Sequence, residues 1–325
     1  MEASREPVRR DLDLDPGARV YVAGHRGLVG SAVCRRLAAE GFRDVVTRTS
    51  TELDLRERAP VERFFDEVRP DVVVLAAARV GGIGANSTYP AQFLSDNLRI
   101  QVNVMDAAAR VGTPRLLLLG SSCIYPKFAE QPIREDSLLT GALEPTNDAY
   151  AIAKIAGILQ VQAVRRQHGL PWISAMPTNL YGPHDNFDPE ASHVLPAMLR
   201  RFREAARDEA PVVTCWGSGT PRREFLHVDD LAEACLFLLR RYDNPAPINV
   251  GTGTDVTVRE LAELVAGIAG YRGRIEWDAT KPDGTPRKLL DVSRLRDLGW
   301  SARTGLADGV RNTFDWYLRA LEPAV

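Results

Sequence analysis

The sequence has no apolar run approaching the roughly 20 residues needed to cross a membrane, so no membrane partner is expected. It has no surplus of one charge either. Its 41 Lys and Arg stand against 43 Asp and Glu, interspersed along 325 residues. That balance argues against a field for nucleic acid. Only four cysteines occur, Cys34, Cys123, Cys215 and Cys235, and none forms a C-x-x-C pair. The scatter argues against a disulfide framework and a metal site, and it suits a reducing, cytoplasmic compartment. Internal repeats and low-complexity segments are absent. The charged stretch Met1 to Gly17 lacks the apolar core of a secretory signal and reads as a flexible extension, 1–17.

What the sequence does have is alternation. Arg19 to Ala23 reads as a buried strand, Gly30 to Glu40 as a helix, and Asp44 to Arg48 as the second strand. Asp54 is placed to cap a helix running to Val68. Asp71 to Ala78 is an apolar, β-branched run, the pattern of a strand buried on both faces. A helix from Pro90 to Arg110, a strand from Leu116 to Leu119, a helix from Asn147 to His168 and a strand from Trp172 to Met176 follow. Strands alternating with helices imply an α/β fold with a doubly wound parallel sheet over 18–180. After Asn179 Pro and Gly recur, yet Thr257-x-x-Glu260 is a capping box and Ile248 to Val250 and Ile275 to Trp277 read as strands. Residues 181–325 are therefore expected to form mainly a smaller α/β substrate domain, with some segments returning to the main sheet.

The first strand runs into Gly24-His25-Arg26-Gly27-Leu28-Val29-Gly30. Gly24 permits the tight turn, Gly27 lets backbone approach a pyrophosphate, and Gly30 lets the helix pack on the strand. The helix N-terminus then faces the phosphates. The second strand ends Val46-Thr47-Arg48-Thr49-Ser50, without the acid that would bond a ribose 2′-hydroxyl. Arg26 and Arg48, with Ser50, favour a 2′-phosphate and hence NADP(H). The competing reading leaves Arg48 merely solvated.

Tyr150 and Lys154 stand four apart on a predicted helix, so they share one face. A lysine ammonium beside a phenol favours the phenolate and makes the tyrosine a usable acid or base near neutrality. Ser121, at the carboxyl end of a strand, is placed to polarise a carbonyl. A Tyr/Lys pair alone also fits an ordinary amphipathic helix, but the glycine turn and the strand-end serine favour catalysis.

Together these features resemble the extended short-chain dehydrogenase/reductase superfamily from residue 18 onward. The resemblance implies a Rossmann domain, with Asp54 and Leu55 near the adenine and Ala76 to Ala78, centred on Ala77, lining the cofactor. It extends cofactor contact to Leu119, Gly120, Ser121, Ser122, Pro177, Thr178, Asn179, Leu180 and His193. Longer segments resemble the GDP-L-fucose synthase family: Val80 to Ile83, Gly120-Ser121-Ser122-Cys123-Ile124-Tyr125-Pro126-Lys127, Pro177 to Phe187, Trp216 to Pro221 and Lys281 to Lys288. That family epimerises GDP-4-keto-6-deoxy-D-mannose at C3 and C5 and reduces C4 with NADPH. The resemblance implies a homodimer and a GDP-sugar substrate. It gives Cys123 the role of base and His193 that of acid, with Cys123, Asn179, Arg201, Trp216, Arg223 and Asp283 on the substrate. Residue chemistry alone favours Cys123 as a small core residue and His193 as a helix cap, and the catalytic reading of both comes from the resemblance. His227 reads as a helix-start residue, and Cys34, Cys215 and Cys235 as structural. Two rivals remain at this stage, another nucleotide-sugar enzyme on the same scaffold and a non-catalytic NADP-binding sensor.

Overall fold

Four apolar residues, Val20–Ala23, are buried on both faces as β1, so this strand requires a neighbour on either side. It pairs in parallel with β2 (Val45–Val46) on one side and β3 (Val72–Leu75) on the other. The computed structural model describes residues 14–189, 192–281 and 283–321. β4 (Arg115–Leu119), β5 (Ile173–Pro177) and β10 (Ile248–Val250) extend the same sheet in the order β10-β5-β4-β3-β1-β2, every pair parallel. The chain leaves β1 to one side for β2 and to the other for β3. Such a reversal opens a crevice at the carboxyl ends of the two diverging strands. Every carboxyl end of a parallel sheet lies along one rim, so loops far apart in sequence meet there.

Helices cover both faces. α1 (Leu28–Ala39) packs with α7 (Val228–Arg241) on one face. α2 (Arg58–Val68), α4 (Pro90–Val111) and α5 (Asp148–His168) cover the other, and the short α3 (Ile83–Thr88) precedes α4. A third apolar core belongs to the later chain. It joins α6 (Val194–Arg207), β7 (Val212–Trp216), α8 (Val258–Ile268) and α10 (Leu306–Leu321). There β7 pairs with β12 (Arg274–Asp278), and β6 (Asn179–Tyr181) with β9 (Phe225–His227). β8 (Arg222–Arg223) lies between β11 (Val256–Thr257) and β13 (Arg287–Lys288), which α9 (Ser293–Asp297) follows. The capping box on α8 is present, with Thr257 and Glu260 each bonding the other's backbone N–H.

Two local expectations fail. Asp54 does not cap α2, whose N-cap is Glu57. Its carboxylate instead takes the backbone N–H of Arg56 at 2.9 Å and pairs with the Arg56 guanidinium at 2.7 Å, which closes a turn ahead of the helix. The second strand keeps only Val45 and Val46, because it is an edge with one partner. Arg48 and Ser50 therefore lie in the loop beyond it, both exposed. Residues 1–13 of the expected N-terminal extension lie outside the described residues.

Candidate active site

The glycine turn is built by contact. Gly24 has φ +86, and a Cβ there would lie 2.8 Å from the backbone N of Ala77 at the end of β3. A Cβ on Gly30 would lie 2.2 Å from the Gly24 carbonyl oxygen. Gly27, by contrast, is exposed at the front of the turn. It is the N-cap of α1, with no side chain to occupy the first free N–H groups and no acid in the first turn. Those donors and the positive end of the helix dipole suit the diphosphate of a dinucleotide. His25, Leu28 and Val29 complete the turn, half-exposed beside it.

Arg26 and Arg48 come together electrostatically at Glu52. Hydrogen bonds from Thr49 chiefly depress the Glu52 carboxyl, and both arginines lower it further. Arg48 also lies over the Phe64 ring, 5.4 Å from its centroid. Leu55 is fixed on the same rim through its carbonyl, which accepts from Asn103 Nδ2 at 2.9 Å.

At the end of β4, Leu119, Gly120, Ser121 and Ser122 meet the first turns of α5. Lys154 Nζ donates to the Leu119 carbonyl at 2.8 Å and lies 5.8 Å from the centre of the Tyr150 ring. Lys154 is almost wholly buried, and burial lowers its pKa to about 8. The phenol departs from expectation. Burial raises the Tyr150 pKa, negative charge on Cys123 raises it further, and a hydrogen bond with Ser121 opposes them only in part. Proximity to lysine does not produce a phenolate here, because the same burial weakens both charged forms. Tyr150 is thus held protonated, the state of a general acid.

Cys123 follows Ser121 on a short 3₁₀ turn, where its N–H donates to Ser121 Oγ at 3.2 Å. Two residues that sequence reasoning left without a role surround its sulfur. Lys288 Nζ lies 3.5 Å away and Asn147 Nδ2 3.6 Å away. Asn147 is the N-cap of α5, yet its side chain makes no capping bond. Of the other cysteines, Cys215 and Cys235 are buried and Cys34 is half-buried.

His193 lies on a separate element, as the N-cap of α6, with no direct bond to the Ser121, Cys123 and Tyr150 cluster among the described residues. It is exposed, yet nearby protein lowers its pKa. His227 caps α7, its Nδ1 accepting from Asp229 N at 3.3 Å.

Thr178 and Asn179, just past Pro177 at the end of β5, are tied to Glu224, a third residue missed from sequence. The Glu224 carbonyl accepts from Asn179 Nδ2 at 2.7 Å and Thr178 Oγ1 at 3.3 Å. Its fully buried carboxylate takes the N–H groups of Thr252, Gly253 and Leu290 at 2.6, 2.7 and 3.0 Å. Leu180 continues into β6.

The four remaining substrate expectations share one corner. Trp216, 66% exposed, ends β7. Asp283 grips the turn after it, its two oxygens accepting from Ser218 N at 2.7 Å and Ser218 Oγ at 2.9 Å. Arg223 donates to the Asp283 carbonyl at 3.5 Å, and Arg201 to the Thr214 carbonyl at 3.0 Å. β8 and β13 then link this corner to Cys123, because Arg223 registers with Lys288.

Among the described residues, no cluster of His, Cys, Asp and Glu is arranged to hold a metal, and no helix is long and apolar enough to cross a membrane. Residues 20–251 match the NAD dependent epimerase/dehydratase family. GDP-L-fucose synthase 1 of Arabidopsis thaliana is 60% identical over 94% of each chain. GDP-L-fucose synthase of Escherichia coli K12 is 54% identical over 92% of this chain and 96% of its own. The solved structure of a GDP-L-fucose synthetase from Naegleria fowleri bound to NADP superposes with a TM-score of 0.91 at 28% identity, covering 100% of this chain and 99% of that one. The parallel sheet, the glycine turn and the Ser121, Tyr150 and Lys154 cluster thus occur in a chain that belongs to the GDP-L-fucose synthase family, within the NAD dependent epimerase/dehydratase family.

Proposed function

We propose that this chain converts GDP-4-keto-6-deoxy-D-mannose to GDP-L-fucose, inverting C3 and C5 and then reducing the C4 ketone. The observation that carries this reading is Cys123, held by Lys288 and Asn147 two residues beyond Ser121. A simple reductase has no use for a proton-transfer thiol there. An enzyme that inverts the carbons flanking a carbonyl does.

The C4 carbonyl acidifies the protons on C3 and C5. Ser121 and Tyr150 hold its oxygen and stabilise the enolate. Cys123 removes a proton from one face, with the Lys288 charge placed where negative charge develops on sulfur, and His193 supplies the proton on the other face. Crowding lowers the His193 pKa, which makes its imidazolium the stronger proton donor once formed. When bound, NADPH supplies the hydride for C4. Tyr150, held as the phenol, protonates the C4 oxygen.

The turn from Gly24 to Gly30 is the seat for the diphosphate, with Asp54, Leu55 and Ala77 near the adenine half. Arg26 and Arg48, assisted by Ser50, select NADP(H) by pairing with the 2′-phosphate, and Leu119 to Ser122, Lys154 and Pro177 to Leu180 complete the cofactor surface. Arg201, Arg223, Trp216, Asn179 and Asp283 hold the GDP-sugar, guanidinium on diphosphate and indole against a ring. Residues 18–180 then serve the cofactor and 181–325 mainly the sugar. The protein works as a cytoplasmic homodimer, which the exposed Val102 on α4 and Ile152 and Leu159 on α5 support.

The test is incubation with GDP-4-keto-6-deoxy-D-mannose and NADPH. NADPH should be oxidised and GDP-L-fucose formed; a sugar reduced without inversion would refute the proposal. Cys123→Ser should abolish inversion and leave NADPH binding intact.

A further inference from the structure

Behind Cys123 lies a pocket of about 10 Å³, room for one water molecule. Cys123, Lys127, Glu144, Asn147 and Lys288 line it. Asn147 reaches the sulfur with its nitrogen, but its buried Oδ1 has no hydrogen-bond partner among the described residues. A buried acceptor left unmet is costly, and a water held there would meet it. Lys127 Nζ pairs with Glu144 Oε2 at 2.8 Å; that oxygen is itself buried, while the two side chains as a whole are 28% and 15% exposed. Burial works against the Glu144 charge, but the hydrogen bond and charge of Lys127 prevail and hold its carboxyl below the usual range. The pocket thus runs from a proton-transfer thiol to an ionised carboxylate in touch with solvent.

Double inversion creates a need for such a route. This step rests on the function proposed above. Once Cys123 has taken the proton from one carbon it is a thiol, and it cannot take the second until it has lost the first. We infer that a water on Asn147 Oδ1, together with the Glu144–Lys127 pair, forms the route by which Cys123 sheds that first proton. The S–H bond breaks and its electron pair stays on sulfur. The proton passes to the water as the water passes one of its own to the Glu144 carboxylate, which releases it to solvent. Lys127 keeps its charge throughout, and no electron changes hands. Glu144, Lys127 and Asn147 act through Cys123 and touch neither the sugar nor the cofactor.

The experiment uses the full chain with NADP⁺, so that reduction cannot follow, and the keto-sugar in D₂O. Mass spectrometry counts singly and doubly deuterated sugar over time. In the native protein the second label should follow the first without delay. In Glu144→Gln the second exchange should slow relative to the first by on the order of 100-fold, the low end of what a positioned proton-transfer group contributes. Singly labelled sugar should then accumulate. Glu144→Asp should restore most of the ratio, added imidazole should speed the second exchange in Glu144→Gln, and Lys127→Met should show a milder form of the same delay. A native ratio in Glu144→Gln would overturn the inference, as would an equal slowing of both exchanges that imidazole does not relieve. A native protein that labels neither carbon would bring down the proposed function itself, a result distinct from both.

Discussion

Replacing Lys154 by methionine removes a buried cation and keeps most of its stem. Burial has lowered this pKa from 10.5 to about 8. At about 1.4 kcal/mol per pH unit, that drop corresponds to a penalty of about 3 kcal/mol for carrying the charge in the folded state. Between pH 8 and 10.5 the unfolded chain still binds this proton and the folded chain does not. Stability therefore rises with pH across the window, and the penalty is fully present below it. The native protein should gain about 3 kcal/mol on Lys154→Met between about pH 7.5 and 10.5. Urea unfolding of both proteins at both pH values measures this, and taking the difference cancels the other titrating groups. The variant also strands the Leu119 carbonyl, so its absolute rank at one pH decides nothing; the slope does. A difference that stays flat across the window would refute the reasoning. The same titration reaches activity. The kcat for C4 reduction should fall as pH rises through about 8, and Lys154→Arg, which stays charged, should lack that limb.

Three other outcomes are expected. Gly30→Ala would press a Cβ to 2.2 Å from the Gly24 carbonyl, so NADPH affinity measured by fluorescence titration should fall together with Tm; unchanged binding would show that the turn tolerates the side chain. Arg26→Ala with Arg48→Ala should lower kcat/KM for NADPH by roughly 10- to 100-fold, the loss of one charge-assisted hydrogen bond or more, and leave NADH nearly unaffected. An equal loss for both cofactors would remove the 2′-phosphate argument. Lys288→Met should slow deuterium entry at C3 and C5 by at least about tenfold while NADPH still binds, because the cation 3.5 Å from sulfur is gone.

Features written in short spacings were legible from sequence. Tyr150 and Lys154 share a face because helical geometry puts residues four apart together, and the Thr257 capping box needs only four residues in a row. Three glycines three apart announced a turn whose tightness, Gly30 against Gly24, is the reason for them. Lys288 was hidden because 165 residues separate it from Cys123, and only the pairing of β13 with β8 carries it there. Glu224 was hidden for a similar reason, since a lone glutamate gives no sign that three amides from two later segments will close on it. The direction of the Tyr150 shift was misjudged because spacing reports that a cation is near but not how far the surrounding protein strips both groups of water. Asp54 was misread as a cap because a competing partner, Arg56, stands two residues away and closes the turn first.

The place of β10 beside β5 bears on the order in which the protein comes into being. A growing chain emerges amino end first. Until Ile248–Val250 has been made, β5 is an open margin of the sheet, able to pair wrongly. Until Lys288 and then Leu290 have been made, Cys123 lacks its lysine and the Glu224 carboxylate its last amide. A nascent chain can therefore complete the glycine turn long before Lys288 reaches the Cys123 sulfur. Whatever depends on both must wait for the stretch that carries β13.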